Sequence, residues 1–344
     1  MGQGMKHLLN TLYVTTPQSF LRLENGNVVI EREDEETSRI PLHLIEGMVL
    51  FGALGMTPAL MGECIQRGIR VTFLGMNGNF LARLEGNPTG NVLLRREQFR
   101  WSDDPDKSLL VAKRFVLAKV RNQRTVVARF MRDHADVEQG KAHMVRDDMD
   151  SLLDQVRAAE TRDQLMGVEG KAADCYFSMF GLMIRSGSGF TFEGRSRRPP
   201  RDETNALLSF FYTLLAHDVA AACNAVGLDP YVGFLHTDRP GRTSLALDLM
   251  EELRPYVVDR FVLDLINRGQ TSVKDYSRAE GGVTIGDSPR RKLITLWQKR
   301  KQEEITHPFL GEKIAIGLIP FVQAQLLAKY VRGEQDDYPA FLWR

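Results

Sequence analysis

The residues best suited to chemistry lie between Leu235 and Arg254, in the stretch LHTDRPGRTSLALDLMEELR that Pro255 follows. It reads as the end of a short strand, a polar loop and a helix, with Thr243 or Ser244 as N-cap and Pro255 forbidding continuation. Steps of three and four share a helix face, which puts Ser244, Asp248, Glu251 and Glu252 on one side. Leucines, Ala246 and Met250 take nearly all the rest. Such a helix must be largely buried, and a buried carboxylate is costly unless paired, protonated or bound to a cation. His236 enters the same region from the preceding loop, so a histidine and carboxylates converge as in a divalent-metal site. The competing reading keeps Asp248 and Glu251 at a wet helix edge, paired with Arg239 or Arg242, and makes His236 a structural residue.

A third donor comes from MGVEGKAADCYFSMF, where Glu169 shares a helical stripe with Ala173, Tyr176 and Phe180. An inward glutamate needs a partner; the alternative is an acid favoured by the dipole near a helix start. Charge of the opposite sign sits in FTFEGRSRRPPR, a loop carrying Arg195, Arg197, Arg198 and Arg201. Four arginines on one loop suit phosphate contacts, although a solvated loop paired with acids has the same composition. A cation site beside such a loop is the layout needed to cut or join nucleic-acid backbones.

The elements that must position these groups fall into two regions. Residues 1–92 read as a small, mostly antiparallel β domain with one helix, Pro58 to Arg67, and hairpins at Asn25-Gly26 and Asn77-Gly78. Its sheet edges make it a candidate dimerisation surface. The acidic run Glu33 to Glu36 reads as a solvated turn. Residues 93–107 read as a connector, and 108–344 as an α-helical domain. Its helices run over Asp106 to Asp133, Val137 to Ala158, from Thr161, Glu203 to Val226, Val257 to Asn267 and Glu312 to Arg332, the last kinked near Pro320. Ser272 to Thr284 reads as a polar connector, and the basic steps around Trp297 as an exposed helix face or a DNA-backbone contact. The aromatic end, Tyr338 to Arg344, is expected to dock on its own fold or a partner.

Composition excludes little. The net charge of +1 gives no global polyanion signal, so any nucleic-acid binding must come from local clusters. Three scattered cysteines without a C-x-x-C argue against a disulfide framework or a thiolate zinc site and fit a cytoplasmic location. The N-terminus lacks a signal-peptide apolar core, and no run is expected to span a membrane.

Taken together, VEGKAADCYF around Glu169, RRPPRDETNALLSFFYTLL from Arg197 and GFLHTDRPGRTSLALDLMEELRP around His236 resemble the CRISPR-associated integrase, the universal metal-dependent endonuclease of spacer acquisition. The final segment, HPFLGEKI through DDYPAFLW, looks most like the subtype I-C branch. The resemblance implies an α+β chain, a small β-rich domain followed by a larger helical catalytic domain. It implies metal ligands at Glu169, His236 and Glu251, with Asp248 as a neighbouring acid or alternate ligand, and a homodimer through the β domains. Two such dimers would be bridged by a small ferredoxin-like adaptation protein, with double-stranded DNA as substrate. That ligand set suits Mg²⁺ or Mn²⁺, the histidine tilting it toward Mn²⁺. A DNA 3′-hydroxyl would be the nucleophile in integration and water in cleavage. No ATP-binding loop of the G-x-x-x-x-G-K-[ST] type occurs, consistent with an exchange of like bonds. Two other readings are a stand-alone metal nuclease acting on branched or double-stranded DNA, and a DNA-binding scaffold whose acids merely pair with arginines.

Overall fold

The computed structural model describes residues 11–14, 18–32, 35–45, 47–52, 55–75, 80–84, 92–134, 139–279 and 282–343. The chain divides into two compact units: residues 1–89 with 287–303, and residues 90–286 with 304–344.

In the first unit, Asn25 and Gly26 both take positive φ, as a tight two-residue turn requires. They join β2 (Phe20–Glu24) to β3 (Asn27–Arg32), β1 being Thr11–Val14. Then come β4 (Glu35–Pro41), β5 (Gly47–Phe51) and β6 (Gly55–Met56). Pro58 at the first position and the Thr57 cap start α1 (Pro58–Gln66), and Gly68, at φ +68°, follows its end. β7 (Arg70–Leu74) and β8 (Phe80–Leu84) close the series. The strands form two four-stranded sheets, ordered β1-β5-β7-β8 and β4-β3-β2-β6. Leu21, Val28, Leu42, Met48, Leu50, Leu60, Cys64 and Val71 fill the core.

Both sheets are mixed, and among the described residues three of their six pairings, β1–β5, β5–β7 and β2–β6, run parallel, so the region as a whole is not mostly antiparallel. The alternation along one strand does not encode its neighbour's direction; α1 provides the crossover that lets β5 and β7 pair side by side. Asn77-Gly78 lies outside the described residues, as do 33 and 34; Glu35 and Glu36 already belong to β4.

The second unit opens with helix where a connector over 93–107 was expected. Here α2 (Val92–Asp103) buries Leu94 and Gln98, and Asp104 then caps α3 (Pro105–Asp133). Next are α4 (Gln139–Ala158), α5 (Arg162–Phe180), whose cap Thr161 accepts from Gln164 N–H, and α6 (Glu203–Val226), capped by Asp202. By length and hydropathy α6 could cross a membrane, contrary to the expectation from sequence, but 67% of its apolar window is buried inside the fold, as in a core helix. No strand leads directly into α7 (Ser244–Glu251), where the end of one was expected near Leu235; residues 232–243 are loop. Pro255 ends the regular helix without ending the coil, which widens into a π-helical turn over Arg254–Asp259 and continues as α8 (Arg260–Asn267).

Within 272–284, expected as a connector, β9 (Tyr276–Ala279) and β10 (Gly282–Ile285) pair as a hairpin. The next helix, α9 (Asp287–Gln302), clusters with the first unit although it lies far along the chain. Its Trp297, Arg290, Arg300 and Lys301 are buried while Arg291, Lys292 and Lys299 are exposed, so only half of the basic run forms an exposed face. β11 (Glu304–Thr306) and β12 (Lys313–Ala315) form a second two-stranded sheet within the helical unit. Because Pro320 has no N–H to give to a helix interior, it sits in the first turn of α10 (Ile319–Val331) instead of kinking a helix begun at Glu312. The tail docks on its own unit: Tyr338, Phe341 and Trp343 are buried, and Asn122 brackets the tail by donating to Phe341 O and accepting from Trp343 N–H.

Candidate active site

The three acids at the end of α7 are all buried, and each has different partners. Asp248 faces the 234–236 loop. Its Oδ2 accepts N–H groups from Phe234 (2.6 Å) and Leu235 (2.8 Å). Its Oδ1 accepts the His236 N–H (3.0 Å) and holds His236 Nδ1 at 2.5 Å. A carboxylate so engaged folds the loop and orients the imidazole, leaving Nε2 without a hydrogen-bond partner among the described residues. Gly233 permits this approach, since a Cβ there would lie 2.7 Å from Asp248 Oδ2. Asp248 is therefore a support for His236, with both oxygens committed.

Glu251 turns toward α3 and the π-helical turn. Lys119 Nζ stands 2.6 Å from its Oε2, and Arg254 Nη2 stands 3.1 Å from its Oε1. The same Lys119 ammonium donates to Glu169 Oε1 on α5. Thus Glu169 and Glu251, from two separate helices, meet on one buried cation. Burial opposes the Glu251 charge, but Arg254, Lys119 and His236 outweigh it and hold its carboxyl well below the ordinary range. Burial likewise opposes the Lys119 charge, and Glu251 with Glu169 overcomes it, raising that pKa.

The competing pairing with Arg239 or Arg242 does not form: Lys119 and Arg254 supply the counter-charge of Glu251. Among the described residues, no three His, Cys, Asp or Glu side chains stand close enough to hold an ion as they are placed. The donors nevertheless suit a hard divalent ion. Glu251 Oε2 is buried and faces Lys119, a cation that a metal ion could replace, and the free imidazole nitrogen is the one opposite a carboxylate. Lys119 had a readable signal: it lies one helical step from Phe115 and Val116 on the buried stripe of α3, where a lysine needs an acid.

Glu252 points elsewhere and anchors the tail. It accepts Tyr338 OH (2.6 Å), Gln323 Nε2 (2.8 Å) and Phe341 N–H (3.0 Å), and burial pushes its carboxyl up to about 7.

The arginine loop also splits. Arg195 turns inward, bonding Asn205 Oδ1 (2.7 Å) and Ser209 Oγ (3.0 Å), and its guanidinium lies over the Tyr212 ring. Arg197, Arg198 and Arg201 are exposed, so three of the four candidate phosphate contacts face solvent.

The family model for CRISPR associated protein Cas1 matches residues 12–299. A CRISPR-associated endonuclease Cas1 of Rhodospirillum rubrum is 50% identical over 99% of this chain and all of its own length. One from Chlorobaculum tepidum is 48% identical, again over 99% of this chain and all of its own. A Cas1 protein from Thermotoga maritima shares the fold at TM-score 0.82 and 24% identity, covering 95% of this chain and 98% of its own. A casposase bound to integration product shares it at TM-score 0.82 and 23% identity, covering 96% and 94%. A β-rich region followed by a larger helical one is thus a fold that solved structures share, and the chain belongs to the CRISPR-associated Cas1 family.

Proposed function

We propose that this chain is a metal-dependent DNA endonuclease and integrase that inserts spacers into a CRISPR array. The observation that carries the reading is the meeting of Glu169 and Glu251 on Lys119, with His236, oriented by Asp248, acting electrostatically on Glu251. The relatives' names support the nuclease, and the integration product named with the casposase supports the strand transfer. A Cas6-RT-Cas1–Cas2 complex of the same fold supports a protein partner; it matches at TM-score 0.80 and 23% identity, over 99% of this chain and 37% of that one. The finer assignments belong to the same proposal: a homodimer, a small ferredoxin-like bridging protein, double-stranded prespacer and repeat DNA, the subtype I-C branch and a cytoplasmic location.

Glu169, His236 and Glu251 are the residues that would hold Mg²⁺ or Mn²⁺. A divalent ion, when bound, lowers the cost of charge on the attacking and leaving phosphate oxygens. The chain's own residues do the rest. Asp248 fixes the imidazole's orientation and keeps Nε2 available. Arg254 stays against Glu251 and preserves a positive field where phosphate charge develops. Arg197, Arg198 and Arg201 offer charge to the DNA backbone without reading bases. A DNA 3′-hydroxyl displaces the 3′-oxygen of a repeat phosphodiester, so one P–O bond forms as a like bond breaks and no energy source is needed.

The test is joining of a 3′-OH donor duplex to a repeat-containing target, with the partner protein present. Glu169→Ala, His236→Ala and Glu251→Gln should each abolish joining while circular dichroism stays native. Full joining by any one of them refutes the ligand assignment. Cutting without joining by the wild-type protein favours the stand-alone nuclease. Activity indifferent to EDTA removes the metal altogether.

A further inference from the structure

The Lys119 ammonium occupies the point where the two carboxylates converge. Its side chain is 4% exposed, touching Glu169 Oε1 on one side and lying 2.6 Å from Glu251 Oε2 on the other. Arg254, the second cation, is held differently. Its guanidinium takes the other oxygen of Glu251 and lies over the Tyr212 ring at 4.7 Å from the centroid. Tyr212 is itself fixed by a hydrogen bond to Asp259 in the π-helical turn. One cation is therefore pinned between a carboxylate and an aromatic face. The other is a compact charge on a flexible four-carbon stem.

Charge adds a second argument. With Lys119 and Arg254 in place, the two glutamates are already neutralised. A doubly charged ion entering beside both would leave a buried surplus of positive charge, which is costly. On Glu251 the oxygen that Lys119 faces is also the one an ion would take, because Oε1 is engaged by Arg254.

We propose that Lys119 is the built-in counter-cation of this site, and that a divalent ion binds Glu169 and Glu251 by displacing its ammonium from between them. The inference rests on the metal reading above and adds to it. Lys119 is a positioning residue that keeps the metal-free carboxylates together and limits metal affinity. Its removal tightens the ion rather than loosening it, whereas loss of a ligand does the reverse.

The experiment uses the full chain, stripped with EDTA and titrated with MnCl₂ by calorimetry, with thermal unfolding measured in EDTA and in Mn²⁺. Lys119→Met keeps the stem's length and removes the charge. Lys119→Gln also removes the charge but can donate to a carboxylate, and it decides the matter if the methionine variant does not fold without metal. Both variants should bind Mn²⁺ about tenfold more tightly or better, the scale of one pK unit of charge interaction. Both should melt earlier than wild type in EDTA and gain more from Mn²⁺. Folded variants that bind Mn²⁺ no more tightly than wild type overturn the proposal. The parent reading is separable: Mn²⁺ binding by wild type that Glu251→Gln abolishes upholds the metal site whatever the lysine variants do. If neither wild type nor the lysine variants bind Mn²⁺, both inferences fall.

Discussion

Asp248→Asn tests the geometry of the site with the smallest possible change in shape. Four donors converge on the buried carboxylate: Phe234 and Leu235 N–H on Oδ2, His236 N–H and Nδ1 on Oδ1. An asparagine has one acceptor oxygen and one donor NH₂, so in either orientation two donors face a donor. Hydrogen bonds to a charged group contribute about 1.5–3 kcal/mol each, so the substitution costs about 3–6 kcal/mol. At about 2–4 °C per kcal/mol for a domain of this size, melting in EDTA should fall by at least about 6 °C. The orientation also matters. With NH₂ toward His236, Nδ1 must accept, the ring proton moves to Nε2, and the nitrogen available to a metal is lost. Mn²⁺ affinity should therefore drop by about 10–100-fold, as when a ligand histidine loses its carboxylate partner. Melting curves and Mn²⁺ calorimetry read the two effects separately. A variant that melts within about 1 °C of wild type, below the cost of even one such bond, and keeps its Mn²⁺ affinity refutes the reasoning.

Three further outcomes follow from the same structure. Burial holds the Glu252 carboxyl up at about 7, above its unfolded value, so between about pH 4.5 and 7 the native state keeps a proton that the unfolded chain releases. Stability should thus fall as pH rises through that window, by up to about 3 kcal/mol, and Glu252→Gln should flatten the slope; parallel wild-type and variant melting profiles from pH 5 to 8 would contradict it. Replacing exposed Arg197, Arg198 and Arg201 by alanine should leave melting unchanged and lower the salt slope of DNA binding by up to about 3. Arg195→Ala should instead lower the melting temperature through its lost bonds to Asn205 and Ser209, which calorimetric scans would show.

The sequence by itself determined the local devices. The Asn25-Gly26 turn, the Thr57, Thr161 and Asp202 caps and the amphipathic helices are written in residue types a few positions apart. It also marked Glu169, His236, Asp248 and Glu251 as groups needing compensation, because an acid or histidine within an apolar pattern carries a desolvation cost wherever the chain goes. Only the tertiary structure decided what compensates each one. Neighbouring acids in one short helix segment part company: Asp248 goes to a loop, Glu251 to Lys119 and Arg254, Glu252 to the C-terminal tail. Helical spacing gives a face, not the partner opposite it, and those partners lie up to 132 residues away in sequence for Glu251, as the numbers of Lys119 and Glu251 give. The same reason hid the parallel pairing of β5 with β7 and turned Arg195 inward while its loop neighbours stayed in solvent. Each of these depends on which surfaces meet, and burial of charge makes the outcome specific only once they do.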